Sequence, residues 1–252
     1  MEFEAHRKRV QTQAAGVVRM KKTICALLAF VFAAVIAYSG YRLWGIQANY
    51  EEEADLHGAV MEYRPEPSED GIINQSVIDM QAKYPDAIGW LTVPNTAIDY
   101  PFVQSTDNDF YLRRDINGDY AVAGTIFMDY RCEKDFTSRN SILYGHHMKN
   151  GSMFGALKAF AGKDFFDANR SGFIYLPYET LTLEFFAYMV IDPATETEIY
   201  NPSLSDMYFE YVKQNARHYR DVGLTNGDRI ETLSTCAYEF DNARMVLLAR
   251  VV

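Results

Sequence analysis

Residues 228–236 read DRIETLSTC, and residues 244–252 read RMVLLARVV. Apolar and β-branched residues predict a β-strand in each stretch, and an Asn226-Gly227 turn signal precedes the first. Because only the short polar loop 237–242 separates them, we expect the two strands to pair antiparallel as a hairpin. This pairing brings the Cys236 thiol and the Arg244 guanidinium to the same end of the hairpin. A thiol beside a cation is half of a nucleophilic site.

A candidate base follows another predicted strand, where residues 141–147 read SILYGHH. Histidines just past a strand are well placed to face a cleft, and imidazole titrates near neutral pH. Histidine is therefore a suitable base for a cysteine nucleophile. Each feature alone has a plainer explanation: a buried apolar cysteine, a solvated histidine pair, or an arginine paired with nearby acids. The three together favour a cysteine-histidine-arginine site.

Composition predicts one folded domain behind an apolar leader. The chain has 252 residues, of which 48% are hydrophobic and 14% aromatic, enough for a sizeable core. Its net charge is −10, and residues 46–252 hold 17 basic against 32 acidic residues, a net charge of −15. A surface this acidic lacks the clustered cations that bind phosphates. We therefore expect no nucleic-acid partner.

The three cysteines do not form a disulfide framework. Cys25 lies in the apolar leader, which leaves Cys132 and Cys236 outside it. A single bridge between those two is possible by number alone, although it would remove the candidate nucleophile. No cysteine or histidine cluster has zinc-site spacing, so the sequence predicts neither a structural metal nor another cofactor.

The leader contains 19 consecutive uncharged residues, 23–41, close to the roughly 20 that span a bilayer as a helix. Arg19, Lys21 and Lys22 precede it, which predicts a cytoplasmic N-terminus. The alternative is a signal peptide cleaved near residues 37–39, but the apolar run exceeds the usual length of such signals. We predict a cytoplasmic tail (1–22), a transmembrane anchor (23–43), an extracellular stalk and linker (44–72) and a catalytic domain (73–252).

Short predicted strands dominate the chain after residue 74. Apolar patterns and turn signals predict helices at 76–84, 152–160 and 203–222. They predict strands at 88–93, 97–103, 121–129, 141–145, 172–177, 181–192, 228–236 and 244–252. Many short strands with few helices favour a mostly β fold with a closed or nearly closed sheet.

Three of these motifs resemble those of the class B sortases. TLSTC at 232–236 resembles the sortase cysteine signature, YGHH at 144–147 resembles the histidine motif, and RMVLLAR at 244–250 resembles the arginine-bearing last strand. The likeness covers residues 74–252. It implies a closed sortase-type β-barrel of about eight strands with peripheral helices. These would include an N-terminal helix and a long helix before the cysteine strand.

The resemblance implies a role for each candidate residue. Cys236 would be the nucleophile, His146 the general acid and base, and Arg244 the cation that stabilises the oxyanion or positions the substrate. The matching substrate-binding positions are Asn108, Leu112, Tyr144, Thr195, Ile199, Tyr200 and Ser234. The family tends to show tyrosine before isoleucine where this chain has Ile199-Tyr200.

The resemblance also implies a reaction and its partners. The protein would cleave an NPxTN-like or LPxTG-like C-terminal sorting signal after threonine, through a Cys236 thioester. It would then join the cleaved protein to a peptidoglycan amine, outside a cell membrane that its N-terminal helix spans. The alternatives are a cysteine peptidase or another cell-wall transpeptidase, such as an L,D-transpeptidase, and a non-catalytic anchored binding module with an inert cysteine.

Overall fold

One mixed β-sheet closes on itself to form a barrel. The computed structural model describes residues 2–66, 73–236 and 243–252, without the side chains of 2–20, 23, 53 and 236. Within these residues, nine strands form the sheet. They are β1 (Ala87–Thr92), β2 (Asp99–Val103), β3 (Ile126–Met128), β4 (Asn140–Tyr144), β5 (Ser171–Leu176), β6 (Glu179–Ile191), β7 (His218–Tyr219), β8 (Arg229–Cys236) and β9 (Arg244–Val251).

The strand order explains the closure. It runs β5-β1-β2-β3-β4-β8-β9-β6-β7, and β5 also pairs with β6. Eight strands therefore complete the ring, and β7 extends β6 outside it. A closed ring has no unpaired edges, which removes the main aggregation hazard of a sheet. The predicted closed barrel of about eight strands is confirmed.

The pairing of β4, β8 and β9 brings the candidate residues together. β4 runs parallel to β8, with Tyr144 opposite Ser234. β8 runs antiparallel to β9, with Cys236 opposite Arg244. The ends of β4 and β8 and the start of β9 therefore meet at one end of the barrel, which we call the β4–β8 rim. The predicted hairpin is confirmed, although its loop, 237–242, lies outside the described residues.

Apolar side chains fill the barrel and cover two parts of its outer surface. Alternation along each strand sends one set inward, including Leu91, Phe102, Leu233 and Leu247. On one outer side, Trp90 packs against helix α2 (Gln75–Lys83). Helix α4 (Tyr208–Asn215) covers the outer face of β6, β8 and β9. The remaining short helices are α3 (Lys163–Ala168) and the 3₁₀ segments Phe110–Arg113, Phe154–Ala161 and Thr197–Tyr200.

The helix predicted at 203–222 is shorter in the structure, because α4 spans only Tyr208–Asn215. Leu204 has a positive φ of 50°, which a right-handed helix does not accommodate. At the other end, His218 and Tyr219 leave the helical pattern and pair with β6. Tertiary pairing thus overrides helical periodicity. Similarly, the predicted strand at 121–129 is reduced to β3, because a turn precedes it.

The N-terminal part of the chain is one long helix, α1 (Glu2–Val60), followed by the 3₁₀ turn Met61–Tyr63. Within the described residues, the helical stretch Ile24–Tyr63 contains an 18-residue window with a mean hydropathy of 2.1. By length and composition it is sufficient to cross a membrane. The chain divides into two compact units, residues 1–52 and 53–252. The predicted linker at 64–71 lies partly outside the described residues.

One acid is buried inside the barrel. Glu231 lies on the same face of β8 as Leu233, and it is fully buried. Neither of its carboxylate oxygens has a hydrogen-bond partner among the described residues. Burial raises the pKa of Glu231 well above its ordinary value near 4.5. The side chain therefore favours the neutral acid in the folded state.

We predict that Glu231→Gln stabilises the protein at neutral pH. The raised pKa makes folding most favourable below pH 4.5, and stability falls as the pH rises towards the folded-state pKa. Gln removes the ionisation whose cost grows with pH, so it should raise the unfolding temperature, and its advantage over the wild type should grow as the pH rises above 4.5. Thermal unfolding of the full chain in detergent, from pH 4 to 8, measures this.

Glu179→Gln is the matched control, because Glu179 is exposed at the start of β6. It should leave the unfolding temperature unchanged across the same pH range. A Glu231→Gln variant whose difference from the wild type does not grow with pH would contradict a neutral buried acid.

Candidate active site

A groove opens at the β4–β8 rim and contains most of the predicted site residues. Its volume is about 300 Å³. Its lining residues are Asn108, Leu112, Phe127, Tyr144, Gly145, His146, Ser234, Thr235 and Arg244. The backbone of Cys236 lies at this rim, opposite Arg244. The Cys236 side chain lies outside the described part of the structure.

The backbone on both sides of His146 is anchored. The amide of Gly145 donates to the carbonyl oxygen of Ser234 at 3.2 Å, which continues the β4–β8 pairing. The carbonyl oxygen of His146 accepts from the amide of Phe154 at 3.1 Å. His146 therefore leaves the strand from a fixed point beside β8, the strand that ends in Cys236.

The ring of His146 has a defined orientation. Its Nε2 lies 2.6 Å from the carbonyl oxygen of Leu112. Because a carbonyl oxygen can only accept, Nε2 carries the proton in this contact. Nδ1 is then the ring nitrogen that can exchange a proton with a reacting group. The Leu112 carbonyl oxygen therefore fixes the direction of the His146 ring.

Glycine at position 145 is required by the packing of this loop. A Cβ atom there would lie 2.8 Å from Cγ of Phe154, closer than two carbon atoms approach without strain. Phe154 is fully buried at the start of its 3₁₀ helix, so it has little room to move. The absence of a side chain at Gly145 therefore lets His146 follow the strand without displacement.

Arg244 places a cation in the groove. It is half-buried at the start of β9, and its Nη1 donates to the carbonyl oxygen of Ala243 at 3.1 Å. A guanidinium has several N–H donors, so this bond leaves others to point elsewhere. A fixed cation at the lip of a groove can stabilise negative charge that develops on a bound carbonyl oxygen.

A buried carboxylate that the sequence did not single out supports one side of the groove. Asp129 follows β3 directly and is fully buried. Its oxygens accept hydrogen bonds from Arg131, Asn108 and Tyr144. Burial raises its pKa, but the hydrogen bonds and charge of Arg131 and the Tyr144 hydroxyl outweigh this and hold the pKa below its ordinary value. The sequence signal that could have predicted this buried carboxylate is an acid immediately after an apolar run, with an arginine two residues later.

The predicted substrate-binding residues divide into two groups. Asn108, Leu112, Tyr144 and Ser234 line the groove. Tyr200 lies beside it, with its hydroxyl 2.8 Å from Oγ of Ser234 and its ring stacked on Tyr144 at 6.0 Å.

The other two predicted residues sit elsewhere. Ile199 is fully buried in the apolar cluster under α4, and its carbonyl oxygen accepts from Nδ2 of Asn140. Thr195 lies in an exposed turn after β6, where its amide donates to the carbonyl oxygen of Asp192. Neither Thr195 nor Ile199 is among the groove-lining residues. At the Ile199-Tyr200 pair, the tyrosine is therefore the residue next to the groove.

Cys132 is a structural thiol. It is buried in the barrel core and unbridged, and its Sγ lies 3.5 Å from the carbonyl oxygen of Asn140, at the start of β4. The bridge to Cys236 that the cysteine count allowed is therefore not formed. Burial raises the pKa of the Cys132 thiol to about 12. A thiol in this state reacts poorly, because the thiolate is the nucleophile.

We predict that Cys132 resists alkylation while the protein is folded. With a pKa of about 12, only about 1 in 10⁴ of this thiol is ionised at pH 8. In a Cys25→Ala, Cys236→Ala full chain in detergent, iodoacetamide should therefore label nothing until urea unfolds the protein, as mass spectrometry would show. Labelling in the absence of urea would contradict the buried position.

We also predict that Gly145→Ala destabilises the fold. The clash with Phe154 should cost about 1–3 kcal/mol of stability, typical of overpacking. Gly162→Ala is the control, because its nearest new contact would be an ordinary 3.5 Å. Thermal unfolding of Gly145→Ala at the same temperature as Gly162→Ala would contradict this role for Gly145.

Comparisons with known proteins agree with the fold. No model of a protein family matches the chain. Sortase B from Listeria monocytogenes is 34% identical over 251 residues, which cover 93% of this chain and 99% of the relative. Sortase B from Staphylococcus aureus is 31% identical over 172 residues, which cover 66% of this chain and 70% of the relative.

Solved structures give the same result. A crystal structure of sortase B from B. anthracis superposes with a TM-score of 0.71 and 32% identity, and covers 81% of this chain and 98% of its own. Sortase B from Clostridium perfringens gives a TM-score of 0.66 with 34% identity, covering 69% of this chain and 98% of its own. The sequence likeness, the closed barrel and the groove at its rim together show that this chain belongs to the class B sortases, which are cysteine transpeptidases.

Proposed function

We propose that this sortase is anchored in a membrane, cleaves a C-terminal sorting signal after threonine and transfers the protein to a cell-wall amine. One observation carries the proposal: the strand register brings His146, Arg244 and the end of the Cys236 strand to a single groove. That arrangement supplies a nucleophile, a proton carrier and a fixed cation, which acyl transfer needs.

In the first half of the proposed reaction, Sγ of Cys236 attacks the carbonyl carbon of the substrate threonine. The thiol proton passes to Nδ1 of His146, because Nε2 is engaged with the Leu112 carbonyl oxygen. The tetrahedral intermediate then collapses, the peptide bond breaks, and Nδ1 donates its proton to the departing amine. A thioester between Cys236 and the threonine remains.

In the second half, an amine of the peptidoglycan precursor or cross-bridge attacks the thioester carbonyl. Nδ1 of His146 accepts a proton from that amine, and Cys236 leaves as its sulfur regains a proton. The new amide joins the substrate to the cell wall. Arg244 stabilises the oxyanion in both tetrahedral intermediates, since the same carbonyl carbon is attacked twice and its oxygen carries the negative charge each time.

The groove is proposed to hold an extended sorting peptide, with an NPxTN-like or LPxTG-like sequence. Leu112 is exposed and offers apolar contact, while Asn108, Tyr144 and Ser234 offer hydrogen bonds. Tyr200 borders this surface through Ser234. A substrate-binding role for Thr195 and Ile199 remains a prediction from the family resemblance. Thr195 would contact the peptide from the turn after β6, and Ile199 from the 3₁₀ segment that ends at Tyr200.

Membrane attachment is proposed through the apolar part of α1. Its large apolar side chains, including Phe30, Phe32 and Ile36, are exposed, as lipid-facing residues of a single spanning helix would be. The preceding basic residues favour a cytoplasmic tail at 1–22, with the anchor at 23–43, the stalk and linker at 44–72 and the catalytic domain at 73–252 outside the cell. No cofactor takes part in this reaction.

Product analysis tests the proposal. The full chain in detergent is incubated with a library of sorting-type pentapeptides and an added amine, and the products are identified by mass spectrometry. We expect cleavage after threonine with the amine joined to that threonine, and no product from Cys236→Ala. Hydrolysis alone would support a cysteine peptidase, and cleavage by Cys236→Ala would contradict the proposed nucleophile.

Arg244→Lys tests the oxyanion role in the same assay. Lysine keeps the charge but loses the planar set of donors, and loss of one oxyanion donor typically costs a factor of about 10²–10³ in rate. We expect kcat to fall towards that range while KM changes little. Arg250→Lys, at the far end of β9, is the control, because Arg250 pairs with Glu184 away from the groove. A kcat for Arg244→Lys equal to that of the control would exclude the role.

A further inference from the structure

We propose that Asp129, acting with Arg131, is the positioning residue of the peptide groove: it fixes the direction and the hydrogen-bonding polarity of the groups that meet the sorting peptide. The inference rests on the proposed function, because it concerns the same groove. Asp129 itself is fully buried, so it acts on the substrate through its partners.

The Asp129 carboxylate accepts five hydrogen bonds. Its Oδ1 accepts from the backbone amide and from Nε of Arg131, both at 2.9 Å. Its Oδ2 accepts from Nη2 of Arg131 at 2.7 Å, from Nδ2 of Asn108 at 3.0 Å and from the Tyr144 hydroxyl at 3.0 Å. Such a carboxylate is held rigidly, and burial makes each of these bonds count for more than it would in water.

The charge of Asp129 decides how Asn108 faces the groove. An ionised carboxylate can only accept, so the amide nitrogen of Asn108 must turn towards it. The amide oxygen of Asn108 then accepts from the backbone amide of Tyr130 at 3.0 Å. Both ends of the side chain are fixed, and one N–H of its Nδ2 is left for a bound peptide carbonyl.

The same reasoning sets the polarity of Tyr144. Its hydroxyl donates to Asp129, so its oxygen is left as an acceptor for a peptide N–H. Burial, reinforced by the charge of Asp129, raises the pKa of Tyr144, so the hydroxyl stays protonated. Two neighbouring groove residues, Asn108 and Tyr144, are thus set as a donor and an acceptor by one carboxylate.

Arg131 links this network to the segment that carries Tyr200. Its Nη2 also donates to the carbonyl oxygen of Tyr200 at 3.0 Å. The Tyr200 hydroxyl is 2.8 Å from Oγ of Ser234, and its ring stacks on Tyr144. The network therefore joins the Asn108 loop, β4, the Thr197–Tyr200 segment and β8. His146 has a different partner, the Leu112 carbonyl oxygen, so the network should govern peptide binding more than the chemical step.

The test is Asp129→Asn, with Asp99→Asn as the matched control. Asp99 also accepts from an arginine, from an indole N–H and from a hydroxyl, but it lies on β2 and does not line the groove. Binding is measured by calorimetry in a Cys236→Ala background, with the pentapeptide that the wild-type chain cleaves best. Cleavage kinetics are measured with Cys236 intact.

For Asp129→Asn we expect the Kd and KM for the peptide to rise about tenfold, the scale of one hydrogen bond to a charged group, with kcat within about threefold of wild type. Asp99→Asn should lose thermal stability without changing Kd or KM. Arg131→Lys keeps the positive charge and is the second variant if Asp129→Asn fails to fold. We expect its Kd to rise as well, because the bond to Tyr200 is lost.

An unchanged Kd in the Asp129 or Arg131 variant would overturn the inference, as would equal changes in the Asp99 control. Failure of the proposed function looks different, because the wild-type chain would then cleave no sorting peptide after threonine. A fall in kcat with unchanged Kd would also count against positioning, since it would place Asp129 in the chemical step.

Discussion

The parallel pairing of β4 with β8 is the constraint on which the site depends. It fixes Tyr144 opposite Ser234. The backbone hydrogen bond from Gly145 to Ser234 continues this pairing to the residue just before His146. The antiparallel pairing of β8 with β9 then sets Arg244 opposite Cys236. A slip of one residue in either pairing would turn these side chains to the other face of the sheet. Closure of the barrel holds the register, because each strand is fixed by neighbours on both sides.

Two buried acids show how the fold uses polar groups at different places. Asp129 is ionised because it is surrounded by donors, and it orders one side of the groove. Glu231 lies two residues before Leu233 in the barrel core, without a partner among the described residues, and burial raises its pKa, which favours the neutral acid. The pKa of Asp129 is lowered on folding, so Asp129 stabilises the folded state at a pH above its ordinary pKa. The pKa of Glu231 is raised on folding, so Glu231 destabilises the folded state as the pH rises above its ordinary pKa. Of the two buried acids, only Asp129, whose hydrogen bonds are satisfied, has a part in the proposed function.

Local sequence patterns were sufficient to predict the parts of the site that lie at strand ends. The DRIETLSTC and RMVLLARVV stretches predicted the hairpin, and the position of YGHH at a strand end predicted a histidine at a cleft. Their meeting at one rim needed the parallel β4–β8 pairing, which joins residues about 90 positions apart and leaves no local signal. The Asp129 network was missed for the same reason, since it links Asn108, Tyr144 and Tyr200 from separate segments.

The error in the predicted length of the helix at 203–222 also comes from contacts between separate segments. Residues 203–222 carry helical spacing, yet Leu204 and the β7 pairing confine α4 to eight residues. Which member of the Ile199-Tyr200 pair approaches the groove also depended on how the segment packs on β8. Side-chain periodicity predicts which face is buried, but the neighbouring elements decide where a helix stops.

The proposed reaction depends above all on Cys236, at the end of β8, as the residue that carries the acyl group. The most direct measurement is peptide mapping of the full chain after brief incubation with a sorting peptide and no added amine. Trypsin should release residues 230–244 as one fragment, since it cleaves after Arg229 and after Arg244. We expect this fragment to carry the mass of the acyl group through Cys236, and hydroxylamine to remove it. An adduct on another fragment, or turnover of the peptide with no adduct that can be trapped, would contradict Cys236 as the acyl carrier.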